Sequence, residues 1–223
     1  KRGNWNVMRV NAVNYYNNPK REIKRIKDVL DRLTGADTRS NRLSKYSKPY
    51  KYVRATSSEV AAYILSGEND AAVTERIKEV VATEEPISRN FLKKRVLATY
   101  NLQRGGVRLD KKLDALIDGC DLRRDRAMGI DYFFRTPRAV TIGKFRVDET
   151  PAVRRCGEDF SVYEVCSLVK AALEERVSLY ADELVALFTG TFPELRPDEK
   201  LELFLSDCVA YGEEKGLFVR SVS

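Results

Sequence analysis

Histidine is absent from all 223 residues. That excludes Ser-His and Cys-His nucleophile pairs, imidazole acid–base chemistry and every zinc site that uses a histidine. The four cysteines, Cys120, Cys156, Cys166 and Cys208, are scattered and form no CxxC pair. They read as buried, reduced thiols of a cytoplasmic protein. No apolar run approaches the roughly 18–20 residues that span a bilayer, and no signal peptide is visible. The GxxxxGK[ST] spacing that lets backbone amides wrap a phosphate is missing too, so Gly105-Gly106 near Lys111-Lys112 reads as a tight turn. Glu22-Ile23-Lys24 and Glu213-Glu214-Lys215 match half of a nuclease signature. Each lacks the separately placed carboxylate needed to share a metal, and in a chain that is 33% charged such matches arise by chance. Asp198 and Glu199 fall in a first helical turn, where carboxylates favour the positive end of the helix dipole and need no function. These absences predict a non-catalytic chain with no cofactor and no bound metal.

What is present is charge in blocks. The overall net of +7 divides into +11 over residues 1–56, −5 over 57–85, +9 over 86–156 and −8 over 157–223. Alternating blocks of this size predict that different parts meet different partners. Hydrophobic residues make up 43% of the chain, enough to build real cores.

The apolar periodicity supplies the elements. Trp5 to Val10 alternates like a short strand. Asn18-Pro19 opens a helix with Ile23, Ile26, Leu30 and Leu33 on one face, ended by Gly35. A strand and one helix make no domain, so residues 1–35 read as the tail of a preceding one. The chain also begins at Lys1 rather than Met, which suggests excision from something longer. Residues 36–56 have no helical period and read as a basic linker. Within it Tyr46, Tyr50 and Tyr52 interleave with Lys45, Lys48 and Lys51, a pattern able to grip phosphates and stack bases, or equally to form a solvated tether whose tyrosines pack on a neighbour. Ser58 caps a short helix carrying Ile64 and Leu65.

Two similar modules are then expected, 57–156 and 157–223. In the first, Val73, Ile77, Val80 and Val81 mark one helix. Ser88 caps a second with Phe91, Leu92, Val96 and Tyr100. Leu109, Leu113, Leu116 and Ile117 stripe a third. Ile130 to Arg135 and Val140 to Val147 follow as strands joined at Pro137. In the second, helices carry Val162, Val165 and Val169, then Leu184, Leu187 and Phe188, then Leu201, Phe204 and Cys208, before a closing strand at Leu217 to Arg220. The expected fold is α+β, mainly α: tandem winged-helix-like modules, a helix-turn-helix variant, with short β-hairpin wings.

In such a module the third helix enters the major groove and the wing touches phosphate. Arg104, Arg108, Lys111 and Lys112 surround the start of that helix. Arg123, Arg124, Arg126, Arg135 and Arg138 lie before or within the hairpin. Clustered cations displace counterions and give salt-sensitive, largely sequence-independent affinity. Asp110, Asp114, Asp118, Asp121 and Asp125 are expected to dilute the field. The −8 module is a poor phosphate binder and reads as a packing or spacing element.

Several strings also resemble the C-terminal end of a family of large bacterial proteins. Its members carry a superfamily I helicase-type ATPase, a Vsr-like nuclease-like domain and a terminal domain of unknown function. Trp5-Asn-Val-Met-Arg9-Val10 and Asn18-Pro19-Lys-Arg-Glu22-Ile23 resemble the last strand and helix of the nuclease-like domain. Glu85-Pro86-Ile87, Arg95, Arg104-Gly105 and Arg108 resemble the opening of the terminal domain, and Pro151 to Arg155 with the helix from Val162 resemble its middle. At Asn11 and Asn14 this chain departs from the Trp and Asp that the family often shows. The resemblance implies a parent that acts on nucleic acid, with ATPase and nuclease-like domains upstream. The resemblance does not say what this segment does; the basic surfaces allow two roles, holding nucleic acid, DNA foremost, or serving as a protein-interaction or oligomerisation platform within the parent. A third role, a degenerate nuclease with its catalytic half upstream, would make residues 1–35 structural remnants.

Overall fold

A computed structural model describes Pro19 and residues 43–55, 61–135, 143–147, 153, 155–175 and 179–219. The strand at Trp5 to Val10, the Ser58 cap, Arg138, the Pro137 turn and Arg220 lie outside the described residues. The chain divides into two compact units, Lys1–Leu43 and Ser44–Ser223. The second holds a mainly helical α+β arrangement. Its strands are β1 (Ser47–Pro49), β2 (Ile87–Ser88), β3 (Arg123–Ala127), β4 (Ile130–Phe134) and β5 (Phe145–Val147). Its helices are α1 (Ala61–Leu65), α2 (Asp70–Glu84), α3 (Arg89–Thr99), α4 (Val107–Asp118), α5 (Val162–Glu175), α6 (Ala181–Thr191) and α7 (Glu199–Glu214).

Helices α2, α3 and α4 form because each keeps one apolar stripe. Val73, Ile77, Val80 and Val81 of α2, Phe91, Leu92 and Val96 of α3, and Leu109, Leu113 and Ile117 of α4 are buried in one core. The Ser88 hydroxyl accepts from the Phe91 N–H and caps α3, as its position predicts. A three-stranded antiparallel sheet in the order β2-β4-β3 packs beside them. Strands β3 and β4 are joined by Met128 and Gly129, at φ 54° and 74°. Two successive left-handed residues match the twist of a tight hairpin, which is why a glycine stands second.

This hairpin differs from the expected one. Ile130–Phe134 does pair antiparallel, but with Arg123–Ala127 and Ile87–Ser88 rather than with a strand beyond Pro137. Phe145–Val147 instead runs parallel to Ser47–Pro49. That pairing also revises the linker. Residues 47–49 are a strand, and Tyr50 and Val53 behind it are buried in the same core as α2–α4.

In the C-terminal third, α5 is buried on nearly every side from Val162 to Ala172. Apart from Glu164, Ser167 and the exposed Lys170, that stretch is apolar or aromatic, as a helix inside a fold requires. Phe160, Phe188 and Phe192 stack against one another at ring separations of 4.5–5.0 Å. Asp198 caps α7 by accepting from the Leu201 N–H at 2.8 Å. Leu217 to Val219 form no strand. The Phe218 ring instead lies so close to Gly212 that a Cβ there would meet it at 2.2 Å. The second set of three helices therefore ends with Phe218 folded back on α7, where the sequence predicts a closing strand. Residues either side of the expected boundary at 156/157 share one interior, joined by the buried pair of Arg146 and Glu164. No helix among the described residues is long and apolar enough to cross a membrane.

Candidate nucleic-acid interface

The start of α4 is shaped by Arg104-Gly105-Gly106. A Cβ at Gly105 would press on the Leu97 side chain at 3.2 Å, and Gly106 stands at the N-cap with extended backbone. With Leu109, Leu113 and Ile117 turned inward, helical geometry turns Val107, Arg108, Lys111 and Ala115 outward. Arg104, Arg108 and Lys111 are exposed and join no ion pair among the described residues, while Val107 among them is 74% exposed.

The neighbouring acids are occupied elsewhere. Lys93 of α3 reaches Asp110 at 2.9 Å and Asp114 at 3.1 Å. Burial alone would lower the Lys93 ammonium, but the two carboxylates outweigh it and hold it above its ordinary value. Arg89 meets Asp118 at 2.6 Å and both Asp114 and Asp131 at 3.4 Å. The hydrogen bond from Arg89 holds the Asp118 carboxyl below the usual range. Asp125 accepts from the Tyr163 hydroxyl at 2.9 Å. Of the five acids expected to dilute the field, only Asp121 has no such partner among the described residues.

The remaining sequence-predicted cations separate into groups. Lys112 turns to the start of α2 and pairs with Asp70 at 2.6 Å. Arg124 is half-exposed within 3.5 Å of Asp118 and 3.6 Å of Asp131. Arg126 is exposed and unpaired among the described residues. The Arg123 guanidinium lies 5.7 Å from the Phe134 ring, with its Nη1 buried and lacking a hydrogen-bond partner. The Arg135 side chain is exposed, while its backbone N–H donates to Glu85 at 2.5 Å. Lys45 is held by Glu175 at 2.6 Å, and Lys48 and Lys51 are exposed.

The tyrosines expected to stack bases are otherwise engaged. Tyr46 donates to Glu175 at 3.4 Å, Tyr50 is 6% exposed, and Tyr52 stacks on Tyr50 with the Arg95 guanidinium over its ring. The base-stacking reading of residues 45–52 is overturned for Tyr50, whose ring is core.

Sequence reasoning missed a buried ionic cluster. Glu84, with no exposure, accepts from the Tyr50 hydroxyl at 2.5 Å, the Val53 N–H at 3.1 Å and Arg95 at 2.8 Å. Arg146 grips both oxygens of Glu164, at 2.7 and 2.5 Å, and donates to the carbonyls of Glu84 and Pro86. Arg155 adds Glu164 at 3.0 Å and the Arg146 carbonyl at 2.8 Å, stacked on the Tyr50 and Phe160 rings. Burial raises the Glu164 carboxyl, but Arg146 and Arg155 prevail and hold it at about 2. The available signal was charge inside apolar runs: Glu164 between Tyr163 and Val165, and Arg146 between Phe145 and Val147.

A cleft of about 850 Å³ opens between the C-terminal end of α3 and residues 194–204, with Ala98, Leu102, Leu201 and Phe204 on its apolar side. Its lysines are already neutralised, Lys94 by Asp159 at 2.7 Å and Lys200 by Glu158 at 2.9 Å. Among the described residues no group of three or more Cys, Asp or Glu side chains is placed to hold a metal ion. No protein-family model, curated protein or solved structure matches the chain.

Proposed function

We propose that this chain is a non-catalytic accessory module that holds nucleic acid, DNA foremost, through the exposed face of α4 and the β3–β4 hairpin. The order helix, short strand, two helices, hairpin, with the sheet order β2-β4-β3, supports reading residues 70–134 as a winged helix. On that reading α4 enters the major groove and the hairpin is the wing. Phosphate contact and backbone-following affinity are what such a surface supplies, with little dependence on base sequence. The helicase-type parent implied by the sequence resemblance supplies ATP hydrolysis and any strand chemistry upstream.

One observation carries the reading. Arg104, Arg108 and Lys111 stay unpaired at the first turns of α4 although Asp110, Asp114 and Asp118 share that helix. Those acids are paired with Lys93 and Arg89 of α3, so Arg108 and Lys111 are left to face water unpaired.

The test is fluorescence anisotropy of a labelled duplex at low ionic strength. Log affinity is expected to fall linearly with log salt. In the triple variant Arg104→Glu, Arg108→Glu, Lys111→Glu the slope should drop by about 0.9 for each phosphate that is no longer neutralised. Absence of salt-dependent binding overturns the proposal, and unchanged binding by the triple variant overturns its placement on α4.

A further inference from the structure

The outer face of α7 is a charge-reversed counterpart of the α4 face. Leu203 is 63% exposed at its centre. Glu199 and Asp207 lie one turn to either side of it, with Glu202 adjacent, and all three are exposed and join no ion pair among the described residues. On α4 the exposed aliphatic is Val107, set among Arg104, Arg108 and Lys111. Lys200 beside Leu203 is paired with Glu158, and Asp110 beside Val107 with Lys93. The charges left unpaired around each apolar centre are therefore of one sign, carboxylates on α7 and cations on α4. Both faces are open in the same unit, so they do not cover one another within one chain.

We propose that α7 of one copy docks on α4 of a second copy. Burying Leu203 beside Val107 removes two exposed aliphatics from water, and the paired charges around them exclude solvent and set the register. Charge complementarity selects the second copy as occupant, because the matching surface is on this same chain. Each copy offers both faces, and the proposed assembly is the two-fold pair in which the contact is made twice and closes. The docked α7 covers the cations of α4, and nucleic acid and the second copy then exclude one another. That exclusion rests on the nucleic-acid reading; the docking itself does not.

Sedimentation equilibrium of the full chain tests this. At low ionic strength a species of twice the 25.5 kDa chain mass is expected, reverting to the single mass at high salt. The α4 reversal Arg108→Glu with Lys111→Glu, and the α7 reversal Glu202→Lys with Asp207→Lys, should each be single copies. Mixed in equal amounts, they should restore the doubled mass, since each reversed face again meets its opposite. All four positions are exposed, and unchanged thermal melts confirm that the variants fold. A single-copy wild type overturns the docking, as does a pair that survives either reversal or a mixture that fails to reassociate. Loss of association on α7 reversal alone overturns α4 as the docking site in favour of another basic segment of the second copy, such as residues 1–56 with their net charge of +11. Adding duplex to the paired wild type should release single copies bound to it. A single-copy wild type that binds duplex removes the docking and leaves the nucleic-acid reading. A pair that swaps as expected but binds no duplex does the reverse.

Discussion

Two groups of cations, both from the segment of net charge +9, meet opposite fates in this fold. Arg95, Arg146 and Arg155 are inside, less than a tenth exposed, locked to Glu84 and Glu164. Arg104, Arg108 and Lys111 stand in water with no ion pair among the described residues. Net charge over a segment counts both alike, yet only the second group is free to meet a phosphate. The first group exchanges that availability for position. Arg146 and Arg155, with Glu164, tie β5 to α5, and through the Glu84 and Pro86 carbonyls Arg146 also holds the turn between α2 and β2. Buried ion pairs are dearly desolvated, so removing one partner leaves a charge with nothing to offset it.

The largest effect should come from breaking that interior. Arg146→Met leaves Glu164 facing Arg155 alone and should cost about 3–5 kcal/mol of stability. Arg104→Met, on the exposed side of the comparison, should stay within about 0.5 kcal/mol. Urea midpoints of the two variants measure the contrast. Equal midpoints would mean that burial does not separate the two groups.

Acid probes the same pair without mutation. Glu164 is held near 2 against an ordinary value of 4.5, so its folded value lies below its unfolded one. Its contribution is therefore fully present above roughly pH 4.5 and is lost as pH falls through about 2. Stability followed by denaturant midpoints across that window should decline. In Glu164→Gln the part of the slope due to this group should vanish, whatever the variant's absolute stability.

Tyr50→Phe should have a smaller effect. It removes the hydroxyl that donates to Glu84 but leaves the Arg95 and Val53 donors in place. Loss of one charge-assisted hydrogen bond in the interior should cost about 1.5–3 kcal/mol, readable as a lower melting temperature.

How far these arrangements were legible in the chain follows from which signals are local. Helix α4 could be read because Leu109, Leu113 and Ile117 repeat at helical spacing and Gly105-Gly106 precede them. Ser88 could be read because capping depends on residues three apart. Strand β3 could not, since four of its five residues, Arg123 to Arg126, are charged and resemble a loop. Their pairing with β4 is set by the Met128-Gly129 turn and by the buried Phe133 and Tyr132 opposite. The sequence leaves Tyr50 open between base stacking and packing on a neighbour for a related reason. Its spacing with lysines is local, whereas its burial depends on Glu84 and Arg155, far along the chain. The basic character of the α4 start was visible from composition. That Asp110, Asp114 and Asp118 would not cancel it was not visible, because Lys93 and Arg89 meet them only once α3 packs on α4.

Arg124 lies between the two groups and gives the finest test of the distinction. It is half-exposed, and its contacts with Asp118 and Asp131, at 3.5 and 3.6 Å, are long for an ion pair. Arg89 already serves both acids at shorter range. Removing a solvent-exposed pair of this kind should change stability by no more than about 0.5 kcal/mol. Arg124→Gln should thus melt like the wild type. If the hairpin contacts phosphate, the same variant should still lower the salt slope of duplex binding by about 0.9. A shift in melting with no shift in slope would place Arg124 with the interior group, holding β3 to the end of α4. A shift in slope with no shift in melting would place it with Arg104, Arg108 and Lys111, as its exposure implies.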